Sequence, residues 1–108
     1  MTLPEASPQT EQFGLPSRVI NGLKALFEKY PEIEQVTLYG SRAKGNYRRN
    51  SDIDLMLTAP TLSWQRFNNL ELEIDDLLLP WKVDLALQHH VENQDLLEHV
   101  ERVGVRVL

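Results

Sequence analysis

Three aspartates are spaced so that they could act together in one site. Asp52 and Asp54 are two residues apart in a segment that alternates between apolar and polar side chains, as a half-buried strand does. Their side chains should leave the same face of the strand, about 6.6 Å apart at the backbone. Asp84 occupies the equivalent face of a later alternating segment, which we expect to be a neighbouring strand about 4.8 Å away. Because Mg²⁺ prefers oxygen ligands, the three carboxylates predict a magnesium site.

The loop before the first aspartate pair has the residue types that bind phosphate. Gly40 and Ser41 end a predicted strand, where glycine permits close approach of the backbone and the following amides can form an anion nest. Arg42 and Lys44 add positive charge, and four of the 11 lysines and arginines lie between residues 42 and 49. A phosphate-binding loop beside two metal ions would support a phosphoryl or nucleotidyl transfer.

The remaining pattern predicts the elements that position these residues. Apolar periodicity, prolines and the capping residues Ser17 and Ser63 predict helices at 17–30, 63–79 and 94–103 and strands at 35–39, 52–58 and 81–87. On the second helix, Leu77 and Leu78 are expected to point inward. Each strand has one apolar face for helices to cover, and the opposite face carries the aspartates. We therefore predict an α+β fold with a small mixed or antiparallel sheet and helices on one face.

Length and composition limit the other possibilities. The 108 residues suit one soluble domain, with residues 1–15 predicted as a flexible arm and residues 16–108 as the single domain. There is no cysteine, which excludes disulfides and thiol chemistry and is compatible with a cytoplasmic protein. The net charge of -5 disfavours non-specific binding to nucleic acid, and no apolar run is long enough to span a membrane.

The segment LYGSRAKGNYRRNSDIDLML resembles the signature of the DNA polymerase beta-like nucleotidyltransferase superfamily, and Asp84 in LPWKVDLAL lies about where that family places its third carboxylate. Within the superfamily the chain is most similar to the minimal nucleotidyltransferases, which are commonly paired with a HEPN-domain partner. The tail HHVENQDLLEHVERVGVRVL also resembles theirs, so that the likeness extends from about residue 35 to residue 108. The implied fold is the polymerase beta-like nucleotidyltransferase fold.

The resemblance also implies roles for individual residues. Gly40 and Ser41 would bind the triphosphate, while Asp52 and Asp54 would bind two Mg²⁺ ions. Asp84 would join the catalytic metal ion and help to deprotonate the incoming hydroxyl. By the same resemblance the substrate would be ATP, and AMP would be transferred to a tyrosine hydroxyl of a HEPN toxin, so that the protein would act as an antitoxin.

Other basic and aromatic residues have less specific patterns. Arg42 and Lys44 are predicted to contact the nucleotide, whereas Arg48 and Arg49 suit a solvated or partner-facing loop. Tyr39 should share the aspartate face, where a nucleotide contact and a packing role both remain open. The histidines His89, His90 and His99 are predicted to be structural or exposed.

Two other functions remain open on the sequence alone. A non-catalytic, nucleotide-binding antitoxin could neutralise its HEPN partner by direct contact. Transfer to a small molecule such as an aminoglycoside is less favoured, because such a substrate needs walls that a chain of this length barely provides.

Overall fold

The computed structural model describes residues 11–108 and shows an α+β architecture. Residues 1–10 of the arm predicted at 1–15 lie outside the described residues. The rest of the predicted arm belongs to a short hairpin in which Leu15 is fully buried. Packed structure therefore begins before the predicted domain boundary at residue 16. The elements in chain order are β1 (Glu11–Gln12), β2 (Leu15–Pro16), α1 (Ser17–Phe27), β3 (Gln35–Tyr39), α2 (Ser41–Lys44), β4 (Ile53–Thr58), α3 (Trp64–Asp76), β5 (Val83–Leu87), a 3₁₀ turn (Gln88–His90), α4 (Gln94–Val103) and β6 (Val105–Arg106).

The main sheet has four strands in the order β5-β4-β3-β6. Strands β3 and β4 are antiparallel, β4 and β5 are parallel, and β6 is antiparallel to β3. The predicted mixed sheet is confirmed, and β6 is an addition that was not predicted from the sequence. Two residues are too short a segment for an alternating pattern to be recognised.

Helices α1 and α3 cover one face of this sheet and enclose the core. The buried apolar side chains come from both helices and from the inward positions of β3, β4 and β5, as the alternation predicts. Ser63 caps α3 by accepting a hydrogen bond from the Arg66 amide, 3.1 Å away. At α1 the N-cap is Pro16 rather than the predicted Ser17, which is the first helical residue.

Both long helices end earlier than the sequence predicts. Helix α1 stops at Phe27 instead of residue 30, and α3 stops at Asp76 instead of residue 79. A proline restricts the residue before it to extended conformations, so the chain leaves the helix ahead of Pro31 and Pro80. The early end of α3 makes the prediction of inward Leu77 and Leu78 wrong, because both side chains are exposed.

The opposite face of the sheet is only partly covered. Helix α4 lies over β3 and has no buried residue, and it leaves a cavity of about 420 Å³ beside Gln35, Thr58 and Gln88. These residues lie at the far ends of their strands from Asp54 and Asp84, so this cavity is separate from the predicted site. Among residues 11–108, no helix has the length and apolar character needed to cross a membrane.

Candidate active site

The strand register brings two of the three predicted aspartates side by side. Asp54 on β4 pairs directly with Asp84 on β5, and its antiparallel neighbour on β3 is Tyr39. Directly paired residues point to the same face of a sheet, so both carboxylates lie on the face opposite α1 and α3. Asp52 lies one residue before β4 and is exposed, whereas Asp54 and Asp84 are half-buried.

The electrostatics indicate that the three carboxylates are close enough to interact. Burial raises the pKa of Asp54, and the negative charges of Asp84 and Asp52 raise it further. The pKa of Tyr39 is also raised, first by burial and then by the charges of Asp54 and Asp84. The only ion pair of these acids within residues 11–108 joins Lys82 to Asp84, with 3.5 Å between Nζ and Oδ1. The site therefore carries excess negative charge.

This excess charge fits a divalent cation that the substrate helps to bind. In the described part of the chain, no group of three or more histidine or acidic side chains is already arranged around one point. Magnesium does not require such an arrangement, because it keeps several waters and shares its coordination with substrate phosphates. The oxygen-only donors Asp52, Asp54 and Asp84 match that chemistry.

The Gly40-Ser41 turn lies directly against Asp54. Gly40 has a φ of 77°, a conformation that residues with a side chain rarely adopt. A Cβ atom on Gly40 would clash with Oδ2 of Asp54 and would lie 3.3 Å from its Cγ. Ser41 begins the single turn of α2, which Gly45 ends in a left-handed conformation. Gly40 and Asp54 are therefore in direct contact, and the single site predicted for Gly40, Ser41 and the aspartates stays a prediction.

Gly40→Ala is expected to lower activity more than Gly45→Ala does, although both changes should lower stability. Both changes place a side chain at positive φ, for which we expect a loss of about 1–2 kcal/mol in unfolding free energy. Only Gly40→Ala also displaces the Asp54 carboxylate, since a Cβ on Gly45 meets nothing within 4 Å. Thermal unfolding and the transfer activity predicted from the sequence should be measured for both variants. Equal losses of activity would contradict this reading of the turn.

His99 is a residue of the site that the sequence reasoning missed. Its Nε2 accepts a hydrogen bond from the Gly40 amide at 3.3 Å, and its ring meets the Tyr39 ring edge-on with centroids 6.3 Å apart. An accepting Nε2 places the proton of a neutral imidazole on Nδ1. The sequence correctly placed His99 on the last helix, but only the packing of α4 on β3 shows that it reaches the turn.

His99→Ala is expected to lower kcat/KM for the transfer reaction predicted from the sequence by about tenfold, the value of one hydrogen bond that holds the turn. His99→Gln is the conservative control, because the Gln side-chain oxygen can take the place of Nε2, and it should restore much of the loss. The melting temperature should be measured for both variants. If His99→Gln is as inactive as His99→Ala although both are folded, the hydrogen bond to Gly40 is not what matters.

Arg42 corrects one of the sequence predictions. Its side chain is 1% exposed, so the predicted nucleotide contact does not fit the structure. The guanidinium donates to the backbone oxygens of Phe13 at 2.8 Å, Arg49 at 3.1 Å and Ser51 at 2.9 and 3.1 Å. These bonds use all three nitrogens, which leaves the group engaged in holding the loop after α2.

The other basic residues of this loop are exposed. Lys44 is the last residue of α2, and Arg48 and Arg49 lie on the surface of the loop that follows. The exposed positions of Arg48 and Arg49 agree with the solvated or partner-facing role predicted for them. The nucleotide contact predicted for Lys44 stays a prediction.

A mixed sheet that presents paired aspartates beside a glycine-serine turn is the framework of a nucleotidyltransferase. The family model "Polymerase beta, Nucleotidyltransferase" matches residues 21–108. The chain therefore belongs to this family, which confirms the resemblance and the predicted fold class. No match was found among curated proteins.

Solved structures with the same fold include several toxin-antitoxin complexes. A toxin-antitoxin structure with AMP-PNP has a TM-score of 0.65 and 27% identity, and the match covers 87% of this chain and 73% of that chain. An MntA-HpeT mutant has a TM-score of 0.66 and 24% identity, and the match covers 82% of this chain and 72% of that chain. The structure of the tri-AMPylated HEPN toxin of Shewanella oneidensis with its MNT antitoxin has a TM-score of 0.62 and 21% identity. That match covers 85% of this chain and 71% of that chain.

Proposed function

We propose that this protein transfers AMP from ATP to a hydroxyl group of a HEPN-domain protein, with cleavage between the α- and β-phosphates and release of pyrophosphate, and that this modification neutralises the partner as a toxin. The observation that carries the proposal is the Asp54–Asp84 pair beside Gly40 in a chain of the nucleotidyltransferase family. The nucleotide and the partner are suggested by similar structures, one with AMP-PNP and one of an AMPylated HEPN toxin with its MNT antitoxin. We place the reaction in the cytoplasm, in keeping with a chain without cysteine.

The triphosphate would be held at the start of α2. The first amides of a helix have no partner within the helix, and here they follow directly after Gly40. The Ser41 hydroxyl can donate one more hydrogen bond to a phosphate oxygen, and Lys44 can approach the polyphosphate as a point charge. Since the absent side chain of Gly40 lets the turn touch Asp54, the phosphate chain would lie beside the carboxylates.

Asp52, Asp54 and Asp84 would hold Mg²⁺. When bound, this ion would offset the charge of the phosphates and of the attacking and leaving oxygens. Asp84 lies on the edge strand β5, where it can accept the proton of an incoming hydroxyl. The remaining contribution of the protein is to position the two reactants, since phosphoryl chemistry needs little covalent help.

The acceptor side chain is proposed to be a tyrosine. A phenolic hydroxyl on an extended side chain can reach an open site, and the face that carries Asp54 and Asp84 is only partly covered by α4. The exposed Asp52 marks the same open side of the site.

The test is to incubate the protein with a purified HEPN-domain partner, ATP and Mg²⁺ and to measure the intact mass of the partner. We expect the mass of one or more AMP groups to be added, on tyrosine when peptides are sequenced. The double variant Asp52→Asn/Asp54→Asn should form the complex but add nothing. Asp95→Asn is the matched control, because Asp95 is an exposed acid on α4.

The same experiment separates catalysis from neutralisation by contact. If the double variant still protects cells from the partner, direct contact rather than transfer neutralises the toxin. If the wild-type protein modifies no tyrosine but adds AMP to a small hydroxyl compound, the acceptor proposed here is wrong.

A further inference from the structure

Exposed leucines are concentrated at the carboxyl end of α3, away from the aspartate face. Leu72 is 62% exposed, and Leu78, two residues after the helix, is 86% exposed. Leu77, which lies between the end of α3 and Leu78, is also exposed. Single exposed apolar residues are ordinary, but three within seven residues of one segment are a feature that an interaction site would explain.

The backbone conformation at Leu78 also indicates an interaction site. Leu78 has a φ of 54°, in the left-handed region that a bulky side chain rarely adopts. Helices that end in this way normally use glycine at the left-handed position. The left-handed backbone at Leu78 lowers stability, and the exposed side chain gains nothing from burial in return, which is expected when a side chain serves binding.

A groove lies between α3 and the edge strand β5, and it is lined by Leu72 and by Leu79, the residue that follows Leu78. It consists of two adjoining cavities of about 390 and 230 Å³, which share Ile74, Asp75 and Val83. Leu72 lines the larger cavity, and Val83 and Leu85 of β5 are only half-buried because α3 does not fully cover the edge of the sheet. The floor of the groove is therefore apolar and open.

The rim of the groove is acidic and uncompensated. Glu71 and Asp75 line the groove and Asp76 follows Asp75, and within residues 11–108 none of the three forms an ion pair. The last turn of α3 contains no basic residue, although the negative end of a helix dipole disfavours acids there. Of the described residues that line the groove, Lys82 is the only basic one, and it is paired with Asp84.

We propose that the groove lined by Glu71, Leu72, Asp75, Val83 and Leu85, together with Asp76 and Leu78 next to its lining residues in the chain, docks a basic amphipathic helix of a partner protein. The leucines of this surface would pack against an apolar stripe of the partner helix. Basic residues beside that stripe would pair with the acids of the groove and offset the dipole of α3. A second copy of this chain is a poor occupant, because a symmetric contact would bring acidic rims together. The inference uses no residue proposed to bind metal or nucleotide, so it stands independently of the transfer reaction.

The test uses a synthetic helical peptide with leucines at i, i+3, i+4 and i+7 and lysines on the flanking positions. Amide chemical shifts of the ¹⁵N-labelled full chain are recorded during titration. We expect saturable changes confined to α3, Leu77–Leu79 and β5, with an affinity that falls as salt is added. A twin peptide with glutamate in place of lysine should bind at least about tenfold more weakly.

Two variants test the residues themselves. Leu78→Gly removes the apolar side chain and the backbone strain together, so it should weaken binding by at least about tenfold while the melting temperature stays the same or rises. Asp75→Lys should weaken binding of the lysine peptide, whereas Glu98→Lys on the exposed side of α4 should leave the pattern of shifts unchanged.

Three results would overturn the proposal. These are shifts that map to another surface, equal binding of the lysine and glutamate peptides, and unchanged binding by folded Leu78→Gly. Concentration-dependent dimerisation that Leu78→Gly abolishes would assign the groove to a second copy instead.

Discussion

Asp54→Asn is expected to abolish nucleotidyl transfer and to raise the stability of the protein without ligands. Asparagine keeps the shape of the side chain but removes a negative charge that is half-buried and faces Asp84 and Asp52. Loss of an anionic ligand for a metal that contributes several kcal/mol to transition-state stabilisation should lower kcat/KM about a thousand-fold or more. Loss of the repulsion should raise the melting temperature, the usual relation when a site is optimised for function.

The repulsion also predicts the direction in which stability changes with pH. Burial and the neighbouring carboxylates hold the pKa of Asp54 above its ordinary value in the folded state. The folded protein therefore retains this proton more strongly than the unfolded chain, and its stability falls as the pH rises through the window between the two pKa values. Above that window the penalty is fully present. The difference in unfolding free energy between Asp54→Asn and wild type should grow across this window and then level off.

Denaturant titrations at several pH values, with and without Mg²⁺ and a non-hydrolysable nucleotide, would check this. Asp95→Asn is the control, because this exposed acid on α4 should show neither the gain in stability nor the loss of activity. Magnesium with the nucleotide should stabilise the wild-type protein but not Asp54→Asn. If Asp54→Asn is less stable than wild type at neutral pH, the carboxylates do not repel one another as inferred.

Arg42→Ala is expected to cause the largest loss of stability of any single change in the basic loop. The substitution leaves the backbone oxygens of Phe13 and Ser51 without the Arg42 donor, while the Arg49 oxygen keeps Trp81 Nε1 as a donor at 2.9 Å. It also opens a cavity where the buried side chain lay. A hydrogen bond from a charged donor contributes about 1.5–3 kcal/mol, so together with the cavity we expect a loss of about 3 kcal/mol or more.

The surroundings of Arg42 show why no other residue type can replace it. The guanidinium carbon lies 5.2 Å from the centroid of the Tyr47 ring and 5.9 Å from that of Trp81. A planar group can contact both rings while it donates in three directions, whereas a lysine ammonium cannot. Arg42→Lys should therefore restore little of the stability that Arg42→Ala loses.

Arg48→Ala is the matched control, since Arg48 has the same side chain in the same loop but is exposed. Its effect on the unfolding free energy should stay within about 0.5 kcal/mol. Chemical denaturation of the three variants and wild type would measure these differences. A nucleotide affinity that falls in Arg42→Lys without any loss of stability would restore the phosphate contact first predicted for this residue.

Local sequence determined the chemical character of the candidate site. Alternation along 52–58 and 81–87 placed Asp54 and Asp84 on the same faces as Tyr39 and opposite the core, because side chains on a strand alternate with a period of two. The spacing between the glycine-serine turn and the aspartates, which is also a local property, indicated the family. Helix and strand types were right for the same reason, and the helix ends were wrong where prolines at 31 and 80 act on the preceding turn.

Only the tertiary structure decided which side chains meet. The register that pairs Asp54 with Asp84 depends on how β4 and β5 align, and the contact of His99 with Gly40 depends on how α4 packs on β3. Arg42 was expected at the phosphates because its neighbours in sequence are basic, yet the N-terminal hairpin supplies the Phe13 oxygen that draws it inward. Such contacts join residues far apart in the chain, and no local pattern of charge or hydrophobicity encodes them.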